Sequence, residues 1–165
     1  MKVRPLAIVL SVGAMTAATA ASAQGAGAQD FLAKAIKGDN SEIMLGSMAA
    51  ERGASPALRA YGQTLHDDHS HAREQAVPLA QRMGVTVPTE PMPEAASERN
   101  KLEGLHGRAF DHEFASYMVK DHKKDIADFE REARQSGPTA DLAKQTLPVL
   151  HKHLAMAERL SHGSR

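Results

Sequence analysis

Between Ser55 and Gly84 the residues Leu58, Gly62, Leu65, His69, Ala72, Ala76, Leu79 and Met83 alternate steps of four and three without a break. That period is the seam of a left-handed helical bundle, and it excludes a strand, whose side chains alternate every second residue. Ser55-Pro56 supplies a cap with proline at the first helical position, and Gly84 supplies the stop. Pro78 falls inside the seam and is expected to kink its last turns. Aromatics make up only 4% of the chain and there is no Trp, so the core must be built from Leu, Ala, Ile, Met and Val with a few Phe. Such side chains suit helices at close range and argue against a sandwich or barrel.

Three more helices are expected around that seam. The first runs from Phe31 to about Arg52 behind an Asp30 cap, with Leu32, Ile36, Ile43, Gly46 and Ala50 as its stripe and Gly53 as its end. The third runs from about Arg108 to Gln135, with Asp111, Ala115, Met118, His122, Asp125 and Phe129 on one face. The fourth opens at Thr139, carries Leu142, Thr146, Val149, His153, Met156 and Leu160 in a stripe widened by Leu147, Leu150, Leu154 and Ala157, and is bent at Pro148. Between helices two and three, Val85 to Ser97 carries Pro88, Pro91 and Pro93 with no helical period, leaving room for a short helix over Glu98 to Leu105. A connection of about 20 residues is far longer than neighbouring antiparallel helices need. The expected fold is therefore all-α, a ferritin-like four-helix bundle with one long crossover between helices 2 and 3.

The N-terminus reads as a targeting segment. Lys2 and Arg4 precede an apolar stretch from Leu6 to Ala20, and Ala21-Ser22-Ala23 provides the small residues a signal peptidase recognises. Residues 1–23 are expected to be a signal peptide cleaved after Ala23, residues 24–29 a flexible leader, and residues 30–161 the bundle domain. An uncleaved signal would instead anchor the protein by its N-terminus. The stretch is too short to span a bilayer comfortably, and no transmembrane segment is expected in the mature chain, which would be periplasmic or secreted. With no cysteine, stability in an oxidising compartment has to come from packing. Loss of residues 1–23 leaves 18 basic residues against 20 acidic, a formal charge of −2, so no basic surface for nucleic acid or anionic lipid is present.

Each predicted helix carries one side chain near its middle that can ligate a metal: Glu42, His69, His122 and His153. At roughly 1.5 Å of rise per residue they lie about 18, 20, 21 and 21 Å from their helix starts, so they fall in one slice of the bundle whichever way each helix points. Imidazole nitrogens and a carboxylate suit a single Zn, Fe, Cu or Ni ion better than Ca or Mg, and Met44, Met48, Met118 and Met156 offer soft sulfur donors that would favour copper. The competing interpretation is a satisfied polar layer, with Asp68, Asp121 and Asp125 as carboxylate partners for the imidazoles. His66, Asp67, Asp68, His69 and His71 form a dense run, of which only His66 with His69, or Asp67 with His71, share a face. His151 and His153 point apart. Asp111 stands too far along the axis from His122 to share its ion and can complement the helix dipole. The chain offers no cysteine nucleophile, glycine-rich phosphate loop or serine elbow, so catalytic and organic-cofactor residues are not assigned.

The strings Phe110-Asp111-x-x-Phe114, Tyr117-Met118-Val119 and His122, the earlier Asp67-Asp68-His69, and the late Leu147-Pro148-x-Leu150-x-x-His153-Leu154 resemble the ferritin-like family called domain of unknown function 4142. Phe31-Leu32, Ala35 and Glu42-Ile43 are similar as well, so the likeness covers about residues 30 to 160. The resemblance implies an exported bacterial protein, often described only as a membrane or outer-membrane protein, with a four-helix bundle and no established activity. Its motif positions carried here are Glu42, His69, Asp111, His122 and His153. His69, His122 and His153 are preceded three positions earlier by His66, Val119 and Leu150, so none of them belongs to a Glu-x-x-His pair of the kind that builds di-iron bundles, which favours one ion or none over a dinuclear centre.

Two functional readings follow from the residues. One is an exported metal-binding bundle used for buffering or stress protection. The other is a non-catalytic envelope or interaction module, acting on an envelope partner or as a homo-oligomer, whose buried histidines fix helix register. An enzyme ranks third. If the histidines are buried and neutral, acidification below roughly pH 6 is expected to destabilise the fold.

Overall fold

The structure is a computed structural model that describes residues 15–163, with side chains from residue 25 onward. The described residues form five helices and no strand: α1 (Met15–Arg52), α2 (Pro56–Arg82), α3 (Pro93–Glu103), α4 (Gly107–Ala133) and α5 (Pro138–Gly163). Among the described residues no helix is long and apolar enough to cross a membrane. The expected signal peptide lies largely outside this range.

The five helices make two antiparallel hairpins, α1 with α2 and α4 with α5, joined by the crossover that holds α3. The short helix α3 corrects the sequence reading, which began this element at Glu98; it begins at Pro93, where proline's fixed φ starts a helix without losing a needed donor. A second correction concerns α1. Asp30 does not cap it, and residues 24–29 are helical rather than a loose leader. Gln29 Nε2 donates to the Met83 carbonyl at 2.7 Å, so this stretch is held against the far end of α2.

The α1–α2 hairpin closes because its turn is well specified. Ser55 Oγ accepts from Leu58 N at 3.1 Å and starts α2. Asp111 of α4, 5% exposed, accepts from Ala54 N at 2.7 Å and Ser55 N at 2.9 Å, tying the α1–α2 turn to the other hairpin. It is thus a turn clamp rather than a dipole partner. Along the hairpin, a Cβ on Gly62 would lie 2.5 Å from Ala50 N and 2.6 Å from Gly46 O, so α1 and α2 touch backbone to backbone at that level. Only glycine permits this approach.

Two apolar clusters fill the interior. The larger gathers Leu45, Leu58, Tyr61, Leu65, Leu102, Phe110, Phe114 and Met118, and the smaller Leu32, Ile36, Ala76, Leu79 and Ala80. The predicted stripes are correct for α2 and α4 in most positions and shifted elsewhere. In α1, Leu45 and Ala49 are buried where Ile43 and Ala50 were expected; in α5, Leu150 and Ala157 of the widened stripe are buried as expected, with Ala140 and Ala143 beside them, whereas Leu142, Val149, Met156 and Leu160 are half-buried. The methionines considered as sulfur donors belong to the larger cluster: Met118 is buried in it, and Met44, Met48 and Met156 pack against it. The proline-rich crossover is strapped across α1 by Asn40 Nδ2 to the Pro88 carbonyl at 3.1 Å and by Met92 N to Ser41 Oγ at 2.9 Å.

Candidate metal centre

Between the two apolar clusters lies a polar slice. Glu42, His69, His122 and His153, one each from α1, α2, α4 and α5, are 1%, 4%, 0% and 0% exposed. Glu42 Oε2 stands 2.6 Å from His69 Nε2, and Glu42 Oε1 stands 3.2 Å from His122 Nε2. One ring nitrogen from each of the three histidines falls within 4.8 Å of the others. The structure therefore brings the four sequence-predicted residues together. Their level is set by the turns, not by the helix starts: Glu42 and His69 lie at nearly equal chain distances from Ser55, as do His122 and His153 from Gly137.

Each imidazole has its outer nitrogen occupied. His69 Nδ1 donates to Asp39 Oδ1 at 3.0 Å, His122 Nδ1 to the Met118 carbonyl at 3.0 Å, and His153 Nε2 to Asp68 Oδ2 at 2.8 Å. Because all three partners are acceptors, the protons sit on those outer nitrogens. The inner nitrogens, His69 Nε2, His122 Nε2 and His153 Nδ1, are buried without a hydrogen-bond partner, as is Glu42 Oε1. The short His69–Glu42 contact is an ion pair whose alignment falls outside a hydrogen bond. Four orphaned donor atoms from four helices thus converge, where buried polar atoms are ordinarily satisfied.

Charge sharpens the point. Burial works against an ionised Glu42, yet His122, His69 and His153 around it outweigh burial and hold it at about 2. Burial would lower His69, but Glu42 and Asp39 push it up to about 10. Burial lowers His122, with Glu42 opposing, and burial together with His69 brings His153 down to about 4. At neutral pH His69 is thus held charged and His122 and His153 neutral, so two of the three rings meet the condition set for acid sensitivity. A neutral His122 points a bare lone pair at the Glu42 carboxylate, two acceptors that repel unless a cation lies between them. Nitrogen and oxygen donors with carboxylate or carbonyl support behind each histidine are what Zn, Fe or Cu sites use.

A cavity of about 550 Å³ opens between α1 and α4, with Glu42 and His69 at its floor. Asp121 and Asp125 line it, half-buried; burial and the nearby Glu42 lift Asp121 to about 7, and burial and Asp121 lift Asp125 to about 8. Of the three carboxylates the sequence offered as partners for the histidines, Asp68 takes that role at His153, whereas Asp39 and the Met118 carbonyl, not Asp121 and Asp125, serve His69 and His122. Asp39 was missed, although it sits three positions before Glu42 on the same helical face. The other sequence clusters separate: His66 pairs with Asp67 at 3.0 Å and His71 with Gln75 at 2.8 Å on the surface, and His151 is exposed.

Neither the curated proteins nor the solved structures give a match to this chain. A family described as Domain of unknown function (DUF4142) matches residues 13–160. The chain belongs to that family, as its motifs implied.

Proposed function

We propose that the protein is an exported, ferritin-like bundle, periplasmic or secreted, whose four long helices hold one transition-metal ion between Glu42, His69, His122 and His153. The observation that carries this reading is the convergence of four buried donor atoms that lack any hydrogen-bond partner. In this reading α3 is an elaboration of the crossover and the four long helices form the bundle. The ion would replace the His69 proton and relieve the opposed lone pairs of His122 and Glu42. The role that fits is buffering or protection against metal stress, because the four ligating side chains enclose the ion within the bundle.

Purification without a histidine tag, followed by elemental analysis, is expected to find about one equivalent of Zn, Fe or Cu, lost in His122→Ala. A metal-free protein whose melting temperature is unmoved by salts of these metals would leave the interaction-module reading, because a ligand bound only by the native state must stabilise it.

A further inference from the structure

The single-ion reading leaves a kinetic question: His69, Glu42, His122 and His153 side chains are 5%, 1%, 0% and 0% exposed, so an ion needs a path to them. Two cavities reach the site. The larger, between α1 and α4, has Glu42 and His69 at its floor; the smaller, about 170 Å³ between α2 and α5, touches Asp68 and His69.

We propose that the α1–α4 cleft is the route by which a divalent cation enters and leaves the centre, passed inward from Asp125 and Asp121 to Glu42. Glu42 Oε1 is fully buried and has no hydrogen-bond partner, so the floor presents an unsatisfied anionic atom. Asp121 and Asp125 stand one turn apart on α4 along the wall, half-buried, while the lysines of the same cleft, Lys34, Lys120 and Lys124, are exposed at its rim. Carboxyl oxygens therefore lie deeper than ammonium groups, an order in which a cation is handed inward from oxygen to oxygen. The smaller cavity lacks this arrangement. Its one carboxylate, Asp68, is already engaged by Lys152 at 3.0 Å and His153 at 2.8 Å.

Gly38 supplies a way to close the larger path. It lines the cleft, and a Cβ there would meet only Asp125 Oδ2, at 3.8 Å, so a longer side chain enters the cleft without displacing backbone. The proposal rests on the metal reading, and rates separate the two. The full chain, stripped of metal, is mixed rapidly with Co²⁺ and followed by its visible absorption, then chased with a chelator. Asp125→Asn and Gly38→Leu are each expected to slow both association and release by about three- to tenfold, with the equilibrium constant nearly unchanged. Val149→Phe, which fills the smaller cavity, is expected to change neither rate. Unchanged rates in Asp125→Asn and Gly38→Leu, slowing by Val149→Phe alone, or lost affinity in Asp125→Asn at an unchanged association rate would each overturn the route while sparing the metal site. A wild-type chain that takes up no Co²⁺ would overturn both. Asp125→Asn keeps the test decisive if Gly38→Leu does not fold, since it replaces a ligating oxygen with an amide nitrogen with almost no change of shape.

Discussion

Asp68 Oδ2 lies 2.8 Å from His153 Nε2, and this contact decides which nitrogen of the imidazole faces the interior. With Nε2 protonated and turned outward, Nδ1 is left bare and buried. Lys152 holds the carboxylate from the solvent side at 3.0 Å. Asp68→Asn can still meet His153 but no longer fixes its tautomer, because an amide both donates and accepts. Affinity for Zn²⁺, measured against a competing chelator, should fall by about 10- to 100-fold, the usual cost of losing a group that orients a ligand. An unchanged affinity would remove His153 from the ligand set.

Uptake of metal should also release a proton. Glu42, at about 2, and the lowered His122 and His153 are already in their ligating forms at neutral pH, whereas His69, near 10, is not. Apparent affinity should therefore rise roughly tenfold per pH unit between about pH 7 and 9. Calorimetry in buffers of different ionisation enthalpy should count about one proton released. A count of zero would mean that His69 keeps its proton and stays outside the coordination shell.

The parts of this site legible in the sequence were those fixed by spacing from a turn. Glu42 and His69 flank Ser55 symmetrically, and a short turn between antiparallel helices transmits that symmetry directly into space. The height of Glu42 measured from its own helix start was less sound, since α1 begins well before Phe31. Its early turns are held by Gln29 reaching Met83, a contact between residues far apart in the chain that no local pattern announces. The same limit hid Asp39: it shares a helix face with Glu42, but its partner is on α2. In α5 the apolar residues cover more than one face, so periodicity alone did not settle which stripe points inward; Ala140, Ala143 and Ala157 do, because small residues allow α4 to approach closely.

Metal-free protein should lose stability as pH rises above neutrality. A base whose folded value is lowered favours the fold above its unfolded value, so the contribution of His153 is complete above about 6.5 and disappears as pH falls towards about 4. Glu42, lowered to about 2, adds a loss between about 4.5 and 2. His69 has the opposite sign: its ion pair is fully present below about 6.5 and is lost as pH rises through about 10. Asp121 and Asp125 oppose His153 on the acid side, because their cost begins above about 3.8 and is complete once pH passes about 7 and 8. Urea unfolding at pH 7 and 9.5 should therefore show the lower midpoint at pH 9.5, where the His69 ion pair is being lost. Equal midpoints would indicate that His69 is neutral.

Gly62→Ala tests the hairpin contact that levels Glu42 with His69. The added methyl would fall 2.5 Å from Ala50 N and 2.6 Å from Gly46 O, both backbone atoms, so the helices must part. Overpacking of this kind costs about 1–3 kcal/mol. Zn²⁺ affinity should fall along with stability, since two ligands ride on the displaced helices. A variant as stable as the parent would show that α1 and α2 are less closely apposed than described.

Asp111→Ala should separate fold from site. Asp111 belongs to the family motif positions, yet it serves the Ala54 and Ser55 amides at the α1–α2 turn rather than the histidine slice. Removing the carboxylate strands two part-buried backbone donors, a loss of about 1–3 kcal/mol if water does not replace it. Chemical denaturation should register that loss, while Zn²⁺ affinity measured well below the melting temperature should stay close to that of the parent. The contrast with Asp68→Asn is the informative comparison, for there affinity moves and stability moves little. If Asp111→Ala abolishes metal binding in a protein that remains helical and cooperatively folded, the α1–α2 turn must govern the position of Glu42 far more tightly than its hydrogen bonds suggest.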